Sequence, residues 1–138
     1  MNSPDCKSQE DFENSLFYFI EAVKVLSRDA ENQCREMGNF NAPWEIRHDV
    51  VEGGSILLHS TVSYLTRMQN EKLSELISSL NALPEEAIAP TYLSMTNHVG
   101  CLIGMNHPAW IPLRQEAKQL LQIFDPDIQK NATYFREQ

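Results

Sequence analysis

The sequence predicts an all-α fold, a single-domain bundle of five to six helices that are mostly antiparallel and include a long first helix. Apolar residues recur at steps of three and four over several long segments, which is the period of a helix packed on a core. No segment alternates polar and apolar residues convincingly enough to predict a strand. Short connections join the segments and favour antiparallel neighbours. At 138 residues, the chain fits one domain over residues 1–138, with residues 1–7 as a flexible N-terminal tail.

The first predicted helix begins near Ser8 and ends at Gly38, where glycine allows the backbone to turn. Thirty residues at 1.5 Å per residue give a length of about 45 Å. The apolar residues of its inner face are Phe12, Leu16, Phe19, Ile20, Val23, Leu26, Ala30, Cys34 and Met37.

The second predicted helix opens with Asn41-Ala42-Pro43, a helix-start signal, and runs to about Gln69. Its two faces differ in chemistry. The apolar face carries Ile46, Val50, Gly53, Leu57, Tyr64 and Met68, and the ionisable face carries Glu45, His48, Asp49, Glu52 and His59. Gly53-Gly54 predicts either a kink or the close approach of another helix, and the position of Gly53 on the apolar face favours close approach.

Shorter helices follow. The third is expected over about 71–81 with Asn70 as its cap, and Pro84 then starts one or two further turns that Pro90 ends. The remaining helices are expected over about 91–105, over 112–124, and from Asp125 onwards. Two prolines keep the segment 106–112 irregular, so Trp110 is expected on a loop or a single turn.

The charge of the chain restricts its partners. There are 19 Asp and Glu against 11 Lys and Arg, a net charge of −8, and no cluster of basic residues is present. Binding to nucleic acid or to an anionic membrane requires such a cluster, so both are excluded. The acidic surface fits a basic protein partner, because opposite charges speed the encounter of two proteins. Solubility alone is the alternative explanation.

The cysteines and the first residues predict a reducing cytoplasm. The three cysteines, Cys6, Cys34 and Cys101, are odd in number and far apart, which argues against a disulfide framework or a cysteine-based zinc site. Cys34 and Cys101 lie on apolar faces and are expected to be buried thiols. The first fifteen residues are polar and acidic, so no signal peptide is expected.

Glu45 and His48 have the Glu-x-x-His spacing that places both side chains on one helical face, where they could meet one metal ion. Carboxylate-bridged di-iron bundles need a second copy of this motif, and the sequence has none. Nothing in the sequence matches a nucleophile elbow or a phosphate-binding loop. The chain is therefore predicted not to be an enzyme, and no cofactor or metal is assigned to it.

A module that masks a basic protein is the favoured function. Small, acidic helical proteins without catalytic motifs include the immunity proteins that neutralise nuclease toxins; this comparison is one of charge and size, since no motif carries it. The predicted partner-binding residues are Glu45, His48, Asp49, Glu52, His59, Asp29, Glu31, Glu36 and Trp110. Trp110 is expected either to anchor a partner or to plug one end of the bundle, and Trp44 has the same two interpretations.

Two alternatives stay open. One is a metal-dependent enzyme built around Glu45, His48, Glu52 and His59. The other is an oligomeric scaffold or regulatory subunit, for instance a homodimer. In that case the glycines Gly53, Gly54, Gly100 and Gly104 would face a second chain.

Overall fold

Every regular element of the computed structural model is an α-helix within the residues it describes, which are 9–38, 40–60, 64–89 and 96–136. The predicted all-α class is therefore confirmed. These residues contain eight helices rather than five to six. They are α1 (Gln9–Leu26), α2 (Ala30–Glu36), α3 (Ala42–Leu58), α4 (Arg67–Asn81), α5 (Glu85–Ile88), α6 (His98–Met105), α7 (Trp110–Ile123) and α8 (Asp125–Arg136).

The predicted long first helix is wrong, because the chain breaks it into α1 and α2. The Ser27 hydroxyl donates a hydrogen bond to the Lys24 carbonyl at 2.7 Å, at the end of α1. The Asp29 carboxylate then accepts from the backbone N–H of Asn32 at 2.9 Å and caps α2. A side-chain acceptor at this position satisfies a backbone donor that the first turn of a helix leaves without a partner.

The second predicted helix begins where the sequence places it but ends about eleven residues early. The helix α3 starts at Ala42 and ends at Leu58 rather than near Gln69. Asn41 takes a left-handed backbone conformation, with φ of 45°, and its side chain makes no capping hydrogen bond. Asn41 thus sets the direction of the chain into α3 through its backbone.

The helix α4 starts four residues earlier than predicted, and its cap is Thr66 instead of Asn70. The Thr66 hydroxyl accepts from the Gln69 N–H at 3.1 Å, while the Gln69 side chain accepts from the Thr66 N–H at 2.9 Å. This reciprocal pair is a capping box. Tyr64 precedes the helix and Met68 is 60 % exposed, so neither continues the apolar face of α3.

The later helices lie close to their predicted positions. Pro84 immediately precedes α5, and α8 begins at Asp125 as expected. The helix α6 starts at His98 with Asn97 as its cap, so the predicted helix is wrong at residues 96 and 97, and residues 90–95 lie outside the described part of the chain. The helix α7 begins at Trp110, two residues earlier than predicted, so the prediction that Trp110 lies on a loop or a single turn is wrong.

Trp110 is a core residue. Its side chain is fully buried, and its indole N–H donates to the Ala87 carbonyl at 3.0 Å, which ties α7 to α5. The predicted role as a partner-binding anchor is therefore wrong, because a buried ring cannot contact another protein. One core cluster joins Trp110 to buried side chains of α1–α7, among them Phe19 and Phe124, whose rings meet edge to face at 6.3 Å.

The glycine pair in the middle of α3 brings other helices close, and Gly54 makes the tighter approach. A Cβ atom at Gly54 would lie 2.9 Å from the terminal methyl groups of Leu73 and Ile77 in α4. A Cβ atom at Gly53 would meet Phe19 of α1 at 3.4 Å, which is an ordinary contact. The prediction of close approach is therefore right for the pair: Gly53 lies against α1, and Gly54 makes the tighter contact, with α4.

Gly54, Gly100 and Gly104 are all buried within the chain itself. The prediction that glycines of this chain face a second molecule in a homodimer is therefore wrong for at least three of the four glycines that the sequence suggested.

A polar network joins the ends of two helices inside the fold. The fully buried Gln33 donates from its amide nitrogen to the Leu26 carbonyl at 2.9 Å, at the end of α1. Its amide oxygen accepts from Arg114 Nη2 at 2.7 Å and Nε at 3.2 Å. Arg114 Nη2 also donates to the Met105 carbonyl at 2.5 Å, at the end of α6. The network therefore supplies donors to the last carbonyls of α1 and α6, which have no partner within their own helices.

Within the described ranges, no helix combines the length and apolar character needed to cross a lipid bilayer.

Candidate protein-binding groove

An open groove of about 560 Å³ runs between α1 and α3, and we call it the α1–α3 groove. Phe19 and Gly53 lie where the two helices are in contact. The wall from α1 includes Tyr18, Ala22 and Val25. The wall from α3 consists of His48, Asp49, Glu52, Gly53 and Ile56. Its volume lies within the range of sites that bind other molecules.

The amphipathic pattern of α3 places two carboxylates, Asp49 and Glu52, in the groove lining, and Glu45 lies one turn before Asp49 outside that lining. Ile46 and Val50 are buried and fix the rotation of the helix. Glu45, Asp49 and Glu52 then follow one another at steps of four and three, on a single face. We call these three residues the acidic row.

Asp49 is a carboxylate of the acidic row whose surroundings shift its pKa. Its partial burial raises its pKa above the ordinary value, and the neighbouring charges of Glu45 and Glu52 raise it further. Only His48 acts in the opposite direction. Among the described residues, neither Glu45 nor Asp49 forms an ion pair with a lysine or arginine. The acidic row is therefore electronegative and not neutralised by arginines of the same molecule.

Two neighbours on α3, Trp44 and Glu52, hold the imidazole of His48 in place. The His48 ring stacks on Trp44, with 4.7 Å between the ring centres and 10° between the planes. On its other side, His48 Nε2 lies 2.8 Å from a carboxylate oxygen of Glu52. Trp44 is 40 % exposed, so it is a surface residue rather than part of the core.

The geometry gives no support to the metal-site alternative. Within the described parts of the chain, no three His, Cys, Asp or Glu side chains converge closely enough to hold a metal ion. His59 follows the last residue of α3, about 16 Å along the helix axis from His48 at 1.5 Å per residue. His48 and His59 therefore cannot share an ion while α3 is helical, and His59 does not line the α1–α3 groove.

The three acids predicted from the first helix have partners within the chain. Asp29 caps α2, and Glu36 pairs with Arg28 at 2.8 Å. Glu31 lies 2.9 Å from Arg35 and 3.4 Å from His98. Glu31 and Glu36 thus pair with cations of the same chain and Asp29 serves as a cap, whereas Glu45 and Asp49 have no lysine or arginine partner among the described residues.

Tyr18 is one of the groove residues that the sequence pattern did not assign to a binding surface. It is 70 % exposed on α1, beside the buried Phe19, and it lines the groove. A tyrosine on the polar side of an amphipathic helix is a detectable signal, because large aromatic side chains outside the core are common in binding surfaces. Its proximity to α3 could not be known without the packing of α1 on α3.

No model of a protein family matches the chain, and no curated protein or solved structure is significantly similar to it.

Proposed function

We propose that this chain is a protein-binding module that masks a basic segment of a protein partner, using the α1–α3 groove and its acidic row. It would act in the cytoplasm in the manner of an immunity protein that covers a nuclease toxin. The observation that carries the proposal is the place of Asp49 in the groove lining, between Glu45 and Glu52 on one face of α3, where neither Glu45 nor Asp49 forms an ion pair with a lysine or arginine of the described residues.

Crowded carboxylates favour a cationic partner for a physical reason. Partial desolvation and like charges make the ionised form of Asp49 less favourable in the free protein than in an isolated side chain. A lysine or arginine placed beside Asp49 removes that penalty and adds a charge-assisted hydrogen bond. Binding of a cation is therefore more favourable, because it relieves a repulsion between carboxylates that destabilises the protein without its partner.

The apolar part of the groove suits the same partner. Lysine and arginine carry aliphatic stems that pack on apolar surface while their charged ends reach polar groups. Ala22, Val25 and Ile56 offer such a surface, and the exposed ring of Tyr18 borders it. An aromatic ring at the rim also attracts a cation directly.

The test compares three forms of the protein that differ in where they carry charge. The groove variant is Asp49→Asn with Glu52→Gln. The control variant is Glu85→Gln with Glu86→Gln, two exposed acids of α5 outside the groove, so both variants lose the same net charge. Each form is immobilised and exposed to native cell lysate at low salt, and the retained proteins are identified by mass spectrometry.

We expect wild type and the α5 control to retain the same basic protein, and the groove variant to lose it. For the purified partner, the groove variant should bind about 2–4 kcal/mol more weakly, which is roughly a 30- to 1,000-fold increase in Kd. High salt should release the complex, because screening weakens charge-driven association. Equal retention by the groove and control variants would show that net charge, and not this groove, attracts the protein.

The proton balance of binding gives an independent check. A cation beside Asp49 lowers its pKa, so affinity should increase as pH rises through the raised pKa of the free protein. Below that range, Asp49 is protonated in the free state and must release a proton on binding. Calorimetric titrations in buffers of different ionisation enthalpy would detect this proton. A binding enthalpy that does not depend on the buffer would contradict the role of Asp49.

A further inference from the structure

Cys34 and Cys101 meet inside the fold, although 66 residues separate them in the sequence. Cys34 lies on α2 and Cys101 on α6, both thiols are fully buried and reduced, and the Cys101 side chain lies within hydrogen-bonding reach of the Cys34 thiol. Neither takes part in the α1–α3 groove. We propose that these two thiols form a reversible disulfide when the protein meets a small oxidant, which locks α2 to α6.

The positions of the two cysteines suit a disulfide. A disulfide requires the two Cβ atoms to face each other at close range, and thiols already in contact satisfy the main part of that requirement. The packing of α2 against α6 holds them together, and a bridge between Glu31 and His98 at 3.4 Å joins the same two helices. The crosslink would therefore form between elements that are already neighbours.

The reaction with a peroxide balances as follows. The thiolate of one cysteine attacks a peroxide oxygen, which gives a sulfenic acid and releases hydroxide. The sulfur of the second cysteine then attacks the sulfenic sulfur, so that the S–S bond forms and water leaves. The two thiols lose two electrons and two protons, and one hydrogen peroxide is reduced to two waters. A low-molecular-weight disulfide can replace peroxide by two exchange steps through a mixed disulfide.

Burial makes this site slow to react in the closed fold. It raises the pKa of the Cys34 thiol to about 12, and the neighbouring Cys101 adds to the increase. Arg114 opposes the shift only weakly. Since the thiolate is the reactive form, oxidation must proceed through a local opening of the structure. The two helices suit such an opening, because α2 has seven residues and α6 has eight, and short helices depend on packing for their stability.

The crosslink would stabilise the fold after it has formed. It closes a long loop of the chain, and long loops reduce the entropy of the unfolded state most in the chain-entropy description. For a chain of this size, we expect an increase of roughly 10 °C in Tm. Neither cysteine lines the groove, so failure of this inference leaves the proposed partner binding untouched.

The experiment uses the full chain with Cys6→Ser, so that only the two buried thiols remain. The reduced protein is incubated with hydrogen peroxide in modest excess, at a temperature a few degrees below its Tm. We expect a monomer whose intact mass is lower by two hydrogen atoms, with no free thiol after denaturation. Dithiothreitol should restore both thiols and the original Tm.

The controls are Cys6→Ser combined with Cys34→Ala and Cys6→Ser combined with Cys101→Ala, which should show neither the mass loss nor the change in Tm. If these variants fail to fold, peptide mapping of oxidised wild type decides the question without them, through a linked pair of peptides that contains Cys34 and Cys101. The proposal is overturned by oxidation that yields only sulfinic acids or covalent dimers. It is equally overturned if both thiols survive the treatment.

Discussion

Replacing Gln33 with leucine tests the network that joins the ends of α1 and α6. The change keeps the size of the side chain but removes the amide. The Leu26 carbonyl loses the donor at 2.9 Å, and Arg114 loses an acceptor at 2.7 and 3.2 Å. A buried carbonyl without its donor costs about 1–3 kcal/mol, and hydrogen bonds to a charged group contribute about 1.5–3 kcal/mol.

Two effects reduce the total loss of stability that these broken hydrogen bonds would cause. Arg114 is only partly buried, so water can reach some of its donors, and a buried leucine side chain gains about 1 kcal/mol of apolar burial. We therefore expect the free energy of unfolding to fall by about 3 kcal/mol and Tm to fall by about 10 °C. Urea and thermal denaturation, followed by far-ultraviolet circular dichroism, measure both quantities.

Gln119→Leu is the matched control, since it makes the same chemical change at an exposed position of α7. It should alter stability by less than about 0.5 kcal/mol. Burial lowers the pKa of Arg114, which indicates that the guanidinium is costly to desolvate and depends on its partners. The double variant Gln33→Leu with Arg114→Met should therefore lose less stability than the sum of the single variants. A loss of under 1 kcal/mol for Gln33→Leu alone would refute the structural importance of the network.

Four other substitutions give independent tests by the same denaturation measurements. Asp49→Asn should raise the free energy of unfolding at pH 7 by about a few tenths of a kcal/mol. The reason is that a carboxylate whose pKa is raised in the folded protein destabilises the fold when pH rises above the pKa of the unfolded state. A stabilisation that persists below pH 3 would contradict this explanation. Gly53→Ala should stabilise the fold by about 0.5–1 kcal/mol, whereas Gly54→Ala should destabilise it by about 1 kcal/mol. The difference arises because only a Cβ atom at Gly54 would be too close to α4. Equal effects of the two substitutions would mean that the contact with α4 is unimportant. Trp110→Phe should cost about 2–3 kcal/mol, since the Ala87 carbonyl loses its buried donor and the ring leaves a void; a loss below 1 kcal/mol would contradict this.

The all-α class follows from the apolar period alone, but the boundaries of the helices do not. Leu26, Ala30 and Cys34 keep the helical spacing across the break between α1 and α2, and all three are buried, so the pattern hides the break. The signal that marks it is Asp29, a favoured N-cap residue. The antiparallel arrangement of a bundle stays a prediction.

The start of α4 was also readable from the sequence. Thr66 and Gln69 have the spacing of a capping box, which is a stronger start signal than the isolated Asn70. The apolar residues Tyr64 and Met68 favoured continuation of the second helix because they fall on its helical spacing. Local hydrogen bonding therefore overrides apolar spacing at this boundary.

The acidic row was predictable because it depends on the period of one helix, with Glu45, Asp49 and Glu52 on one face of α3. The groove and the thiol pair were not, because each depends on which helices are neighbours. The proximity of Tyr18 to α3, and of Cys34 to Cys101, follows from tertiary packing that no single segment encodes.

The contrast between the two tryptophans has a practical consequence. Trp110 is sealed in the interior, whereas Trp44 is partly open to water and lies face to face with the imidazole of His48. The tryptophan fluorescence of the protein therefore has two components. Trp110 emits from a site shielded from water, and Trp44 emits from a hydrated site on the surface of α3. A Trp110→Phe background isolates the hydrated emission, so that occupancy beside His48 can be followed optically without attaching a dye.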